Sequence, residues 1–293
     1  SVISLKDAAI LHEDLRNYGN LKDTDKPLVV AGILLALKES EYRNFDVDSL
    51  IGDSYNTDGQ KIYNAISSNL KRANVQPDVK KDKLLSQFSI IKDSQILNEI
   101  NQKLGKTPLK YYTEFLNKHL YKNIRFNNSA EDYIGRFYGE FMSYSGGDGQ
   151  TLGIVLTPKH ITELFCDLLN INKVDTVLDP CCGTAGFLIS AMHNMLKQTS
   201  NDNEKRHIRQ EQLHGIELQP YMFTIATSNM ILRGDGKSNL INDDFLKIPS
   251  SKLQLKSATI GMMNPPYSQG SKNNPDLYEL SFVEHLLDSL IIG

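Results

Sequence analysis

The sequence predicts an α/β protein in two parts, an all-helical N-terminal domain over residues 1–144 and an α/β domain over 145–293 in which strands and helices alternate. Three observations carry that expectation. Up to Tyr144 the apolar residues recur at helical spacing; Ser145-Gly146-Gly147-Asp148-Gly149 then interrupts all periodicity, as a connecting loop does. Beyond it, four short apolar runs are separated by helical patterns, which is how parallel strands joined by crossovers read.

In the first part, Thr24 or Asp25 can cap a helix with Pro27 in its first turn, and Leu28, Val29, Ile33, Leu34 and Leu37 make it apolar nearly all round, so it is expected to be buried. Ile62, Ile66 and Leu70 repeat at helical spacing after Asp58-Gly59. Leu84, Phe88 and Ile91, then Ile96, Leu97, Ile100 and Leu104, continue the pattern. Thr107-Pro108 is a cap and first-turn pair, and Ser129 with Asp132 resembles a capping box before Tyr133, Ile134, Phe137, Tyr138 and Phe141. Lys71-Arg72 with Lys80, Lys81 and Lys83 is the densest basic stretch, read as a solvated face in preference to a phosphate contact.

In the second part, Thr157-Pro158 is a cap pair before a helix through Ile161, Leu164, Phe165 and Leu168. Val174 to Leu178 reads as a buried strand running into Asp179-Pro180-Cys181-Cys182-Gly183-Thr184-Ala185-Gly186, with Phe187-Leu188-Ile189 opening a helix. A strand, a glycine-containing turn and a helix form a general cofactor cradle, because glycine lets the backbone approach a ligand and the helix amino end favours negative groups. Polar residues from Gln198 to Arg209 read as a loop extension before Gln212 to Ile216, a strand ending in Glu217. An acid there can accept hydrogen bonds from ribose hydroxyls. A helix through Tyr221, Ile225, Met230 and Leu232 leads to Leu240-Ile241 and then Asp243-Asp244-Phe245. The last strand, Ala258 to Met263, ends in Asn264-Pro265-Pro266-Tyr267.

That last stretch asks for one chemistry. Two prolines forbid helix and ladder alike, so the chain leaves the sheet in a stiff loop with Asn264 at its head. The Asn264 amide oxygen and the Pro265 carbonyl are two neutral acceptors that can point at one –NH2 group, and Tyr267 offers a flat face. A conjugated amine is a poor nucleophile because its lone pair is delocalised. Two acceptors on its hydrogens favour pyramidalisation and aim the lone pair, while the tyrosine holds the attached ring by stacking worth ~1–3 kcal/mol per base.

Composition narrows the class. Hydrophobic residues at 40% and charged residues at 23% are ordinary for a soluble globular protein. A net charge of −3 gives no global basic footprint, so contact with a nucleic acid needs a local basic surface or another subunit. Cys166, Cys181 and Cys182 form no disulfide framework, the histidines show no metal-binding spacing, and the longest apolar run, Leu28 to Leu37, is too short for a bilayer. A reduced cytoplasmic setting, no metal and no membrane are expected.

In this order, Thr157-Pro158, Asp179 to Leu188, Glu217, Asp243 and Asn264 to Tyr267 resemble the N6-adenine DNA methyltransferases, and more specifically the modification (M) subunit of type I restriction–modification systems. The motifs cover roughly 149–293; the first part matches in being helical and in its position. The resemblance implies a Rossmann-like domain using S-adenosylmethionine. In it, Ile154, Val155, Leu156, Thr157, Pro158 and Lys159 would contact the methionine part, and Asp179 with Gly183, Thr184, Ala185 and Gly186 would form the main cradle. Glu217 would hold the ribose, Asp243 and Phe245 would flank the cofactor's adenine, Asn264, Pro265 and Pro266 would form the amine-binding loop, and Tyr267 would stack on the extruded base.

Two positions depart from the family. Ala185 stands where many relatives have Gly, a change tolerated if φ is negative there, and Val155-Leu156 replaces the usual aromatic. The implied function is site-specific methylation of a flipped-out adenine in double-stranded DNA, with separate specificity and restriction subunits as partners. Similar Asn-Pro-Pro-Tyr loops also serve methylation of a protein glutamine amide or an RNA base amine, and a non-catalytic cofactor-binding assembly subunit is the reading from another class. The resemblance further implies sheet strands beyond the one carrying Asn264, and so a chain that is part of a longer, C-terminally truncated protein.

Overall fold

The computed structural model describes residues 5–122, 137, 157–234, 239–267 and 270–291. The chain divides into two compact units, Ser1–Leu152 and Gly153–Gly293. The expected helix over 129–144 and the glycine-rich connection lie outside the described residues, apart from Phe137, which is buried.

The described part of the first unit is helical: α1 (Leu5–Gly19), α2 (Asp25–Glu39), α3 (Asp58–Arg72), α4 (Asp78–Gln87), α5 (Ser89–Asp93), α6 (Gln95–Asn98) and α7 (Pro108–Leu116). The apolar α2 is buried from Lys26 to Leu37, packed by α3, α5 and α7. Burial of charge is compensated locally. Lys26 Nζ meets His12 Nε2 at 3.1 Å and Asp23 Oδ1 at 2.9 Å, and Glu39 receives both Nε and Nη2 of Arg72 at 3.1 Å. One residue of the basic stretch therefore neutralises a buried carboxylate. Helical pattern fails at Ile100-Leu104: Asn101 Oδ1 accepts from the amides of Lys103 and Leu104, and Gly105 at φ +65° turns the chain back on itself. A side chain that satisfies neighbouring amides offers the backbone an alternative to helix.

The second unit carries α8 (Lys159–Leu168), β1 (Val177–Asp179), α9 (Gly186–Leu196), α10 (Asp202–Glu211), β2 (Leu213–Glu217), α11 (Pro220–Leu232), β3 (Leu240–Asn242), α12 (Ser250–Gln254), β4 (Ile260–Gly261) and α13 (Glu279–Ser289). The four strands form one parallel sheet in the order β3-β2-β1-β4. The strands are shorter than expected; β1 starts at Val177, and Val174 is exposed. Gln198 to Arg209, expected as a loop, is mostly helix: Asn201 caps α10 by accepting from Asn203 N and Glu204 N, and the element buries Ile208 while its charges face water. One apolar contact and a good cap suffice where polarity alone suggested loop.

Side chains alternate across the sheet. Leu178, Ile216 and Ile241 face a core completed by Phe245, Ile248, Leu253, Ala258, Phe282 and Leu286, so α12 and α13 cover that side. On the opposite face Gly215 admits close packing, since a Cβ there would meet Leu240 at 2.5 Å and Leu188 of α9 at 2.9 Å. Asp179, Glu217 and Asn242 share the face of Gly215 at the carboxyl ends of their strands.

Candidate active site

The first three strands end in Asp179, Glu217 and Asn242, and Asn264 follows β4 by three residues, so polar side chains gather at the carboxyl edge of the sheet. After β1, Cys181 N donates to Asp179 Oδ1 at 3.2 Å, and Cys182 N donates across to Ile216 O at 2.9 Å, which ties the turn to β2. The turn continues through Gly183 at φ +52° and Ala185 at φ +71°, two left-handed residues in three. The condition under which alanine would be tolerated at 185 is therefore not met: this residue sits in the region that costs an L side chain ~1–2 kcal/mol. The turn persists because Ala185 N donates to Cys182 O at 2.7 Å and Ala185 O accepts the first helical hydrogen bond of α9, from Ile189 N, at 2.9 Å.

Glu217, at the end of β2, is held by two backbone donors: Gly183 N to Oε2 at 3.0 Å and Gln219 N to Oε1 at 2.8 Å. Burial pushes its carboxyl up, against the effect of those bonds. Asp179 is more extreme. It is 1% exposed, its Oδ2 has no hydrogen-bond partner, and burial, with the Glu217 charge nearby, raises its pKa to about 8. An orphaned buried carboxylate oxygen beside a left-handed glycine, whose missing Cβ would meet nothing nearer than Met222 Cε at 3.9 Å, leaves both a polar demand and space. A cationic ligand with hydroxyls fits that donor set: it supplies the charge that Asp179 lacks and donors for Glu217.

Beyond β3 the two acids separate. Asp244 caps the short turn Phe245–Lys247 through Leu246 N at 3.2 Å and pairs with Lys247 at 3.0 Å, whereas Asp243 is exposed and accepts from Asp244 N at 2.8 Å. Phe245 is 4% exposed, packed against Phe282 and His285 with ring centroids 6.3 and 4.6 Å away, so its ring is part of the core. Asn264, after β4, is partly buried, Pro266 and Tyr267 are exposed, and the Asn264 Nδ2 donates to Thr157 Oγ1 at 3.1 Å. Thr157 does not cap α8: the helix begins on the Pro158 carbonyl, which accepts from Ile161 N and Thr162 N, and no side chain caps it. Pro158 and Lys159 are exposed; Ile154, Val155 and Leu156 lie outside the described residues.

One contributor escaped the sequence reading. Asn229 of α11 donates from Nδ2 to Thr184 O at 3.1 Å, pinning the turn from behind. The available signal was a polar residue in a helix that is buried from Met222 to Leu232. Among the described residues no cluster of His, Cys, Asp or Glu could hold a metal, and no helix is long and apolar enough to cross a membrane.

A parallel sheet with a glycine turn after its first strand, an acid ending its second and an Asn-Pro-Pro-Tyr loop after its fourth defines an α/β domain of the nucleotide-cofactor class. The family described as N-6 DNA Methylase matches residues 129–285, and the chain belongs to it. It is 48% identical over 291 residues to the type II restriction enzyme and methyltransferase RM.BcgI of Heyndrickxia coagulans, covering 98% of this chain and 45% of that protein. It is 25% identical over 158 residues to the type I restriction enzyme MjaIX methylase subunit of Methanocaldococcus jannaschii, covering 54% of this chain and 26% of that one. The chain thus spans less than half the length of either relative. The fold is shared with a modification subunit of a putative type I restriction enzyme from Vibrio vulnificus, at a TM-score of 0.63, 14% identity, and coverage of 99% of this chain and 68% of that one.

Proposed function

We propose that the protein is an S-adenosylmethionine-dependent, site-specific DNA methyltransferase acting on the N6 amine of adenine, working as the modification component of a restriction–modification system. One observation carries the reading: the loop headed by Asn264 leaves the same edge of the sheet that bears Asp179, the Gly183 turn and Glu217. The names of the relatives, restriction enzymes and their methylase subunits, support it.

Asp179, Gly183, Thr184, Ala185 and Gly186 would hold the cofactor, with Glu217 on the ribose hydroxyls and Asp243 on the adenine edge. When bound, the cofactor would supply a methyl group on a positively charged sulfur, the sulfur keeping the C–S electron pair as a neutral thioether while the methylated amine gives up one proton to solvent. The protein's own task is to present the amine. Asn264 Oδ1 and the Pro265 carbonyl accept its two hydrogens, Pro266 stiffens the loop, and exposed Tyr267 stacks on a base that has left the duplex, as base-modifying enzymes require. No group with a shifted pKa acts on the substrate; alignment does most of the work. Double-stranded DNA is the substrate, and because the chain is mildly acidic overall, specificity and restriction subunits would supply site choice and cleavage in the cytoplasm.

The test is labelled-methyl transfer to DNA by the complete protein with and without a candidate specificity subunit, comparing wild type with Asn264→Ala. Transfer by wild type and its loss in the variant are expected. Equal turnover by the two proteins would sink the assignment.

A further inference from the structure

The Thr157 hydroxyl does not cap the helix it precedes and is hydrogen-bonded to the Asn264 side chain instead. A threonine beside a helix start ordinarily lends its oxygen to the first free amides. Here the Pro158 carbonyl accepts from Ile161 N and Thr162 N, and the Thr157 hydroxyl accepts from the Asn264 side chain, 3.1 Å away and 107 positions later in the chain. Other threonines in this protein behave conventionally: Thr57 and Thr107 cap α3 and α7 by accepting from Gln60 N and Lys110 N. The difference is local, because at α8 proline occupies the cap position and brings no side-chain acceptor.

A carboxamide has two ends of nearly equal size and opposite character. Turned one way it offers an oxygen to an –NH2 group; turned the other way it offers N–H groups that repel it. A side chain that rotates freely about χ2 must lose that freedom when the substrate arrives. Thr157 removes the freedom in advance. Its oxygen holds the Nδ2 branch and fixes the plane of the amide, and the donors of an incoming amine then select the Oδ1 branch.

We infer that Thr157 is a positioning residue for Asn264, orienting the amide whose oxygen receives the substrate amine; this rests on the methyltransferase reading above. It assigns Thr157 to the amine side of the site, where family resemblance assigned it to the cofactor's methionine end.

Two variants separate these roles. Thr157→Val keeps the shape and deletes the hydroxyl, and Thr157→Ser keeps the hydroxyl. In the complete protein with its specificity partner, Thr157→Val should lower kcat at saturating cofactor by about 10- to 100-fold, as expected for loss of one preorganising polar contact. The S-adenosylmethionine dissociation constant, read by calorimetry, should stay within about threefold, and Thr157→Ser should recover most of the rate. A second reading needs no turnover: in ligand-free protein, the melting shifts of Thr157→Val and Asn264→Ala should be non-additive in the double variant. Weakened cofactor binding with unchanged kcat at saturation would overturn the inference and leave the methyltransferase reading intact. Additive melting shifts would also overturn it. Absence of any methyl transfer by the wild-type complex, with the non-additivity preserved, would overturn both while leaving the hydrogen bond itself established.

Discussion

Asn264 Nδ2 donates to Thr157 Oγ1 at 3.1 Å, joining the loop that follows β4 to the residue that precedes α8. The bond matters because Asn264 stands at the head of a segment whose two prolines leave the backbone few amides with which to anchor itself. Side-chain anchoring replaces the missing ladder, so the amide is placed by tertiary structure and not by the strand that carries it.

Tyr267 is 55% exposed, a surface available for stacking. Tyr267→Phe should retain near wild-type transfer, since either ring stacks, whereas Tyr267→Ala should raise the DNA concentration needed for half-maximal rate by about 10- to 100-fold, from the ~1–3 kcal/mol that stacking supplies per base. Steady-state titration of DNA measures both. Equal effects of Phe and Ala would assign the hydroxyl, and not the ring, to substrate binding.

Asp179 sets a pH dependence. Its folded pKa of about 8 lies above the ordinary carboxylate value near 3.9, so between those values the folded state keeps a proton that the unfolded state has released. Its contribution to stability is therefore fully present below about pH 4 and is lost as pH rises toward about 8. Asp179→Asn should flatten that trend and melt higher than wild type at pH 8, while weakening cofactor binding. A cation bound beside Asp179 lowers its pKa again, so wild type should release up to about one proton on binding S-adenosylmethionine at pH 7 and the Asn variant should not. Calorimetry in two buffers of different ionisation enthalpy reads the difference.

The two left-handed residues of the turn respond differently to substitution. Gly183→Ala adds strain at φ +52° without a clash, because the new methyl meets only Met222 Cε at 3.9 Å; it should cost about 1 kcal/mol in thermal unfolding. Ala185→Gly relieves ~1–2 kcal/mol of strain. It also adds ~0.4–1 kcal/mol of unfolded-chain entropy and gives up a buried methyl worth ~0.8 kcal/mol. Little net change in melting temperature is expected, and a large stabilisation would mean that the buried methyl contributes less than its area suggests.

Asn229 holds Thr184 O from α11. Asn229→Leu removes the donor while keeping apolar volume, and should loosen the turn without unfolding the domain. Cofactor affinity is expected to fall about 10-fold, consistent with the ~1–2 kcal/mol attached to a buried carbonyl that loses its partner. Calorimetry against S-adenosylmethionine checks this, with near-ultraviolet dichroism as the control for folding.

Much of the second unit was legible because its local signals agree. Apolar runs marked β1 and β2, glycine at 183 marked the turn, and an acid or amide followed each strand. What misled were signals read without their partners. Polarity suggested a loop at Gln198 to Arg209, but the Asn201 cap and the burial of Ile208 make α10. Apolar spacing suggested helix through Ile100 and Leu104, but the Asn101 side chain took the local amides for a turn.

The sequence by itself determined the order of strand ends, the chemistry each carries and the family to which the chain belongs, because these depend on residue type and spacing along one strand–turn–helix unit at a time. Only the tertiary structure decided which partner each group has. Asp179 became an orphaned acid because neighbouring elements exclude water from it, Ala185 took a left-handed conformation because the turn is pinned to β2 and α11, and Thr157 found Asn264 because the residue before α8 and the loop after β4 meet. Burial and long-range hydrogen bonding are properties of the packed domain, and no local reading of spacing contains them.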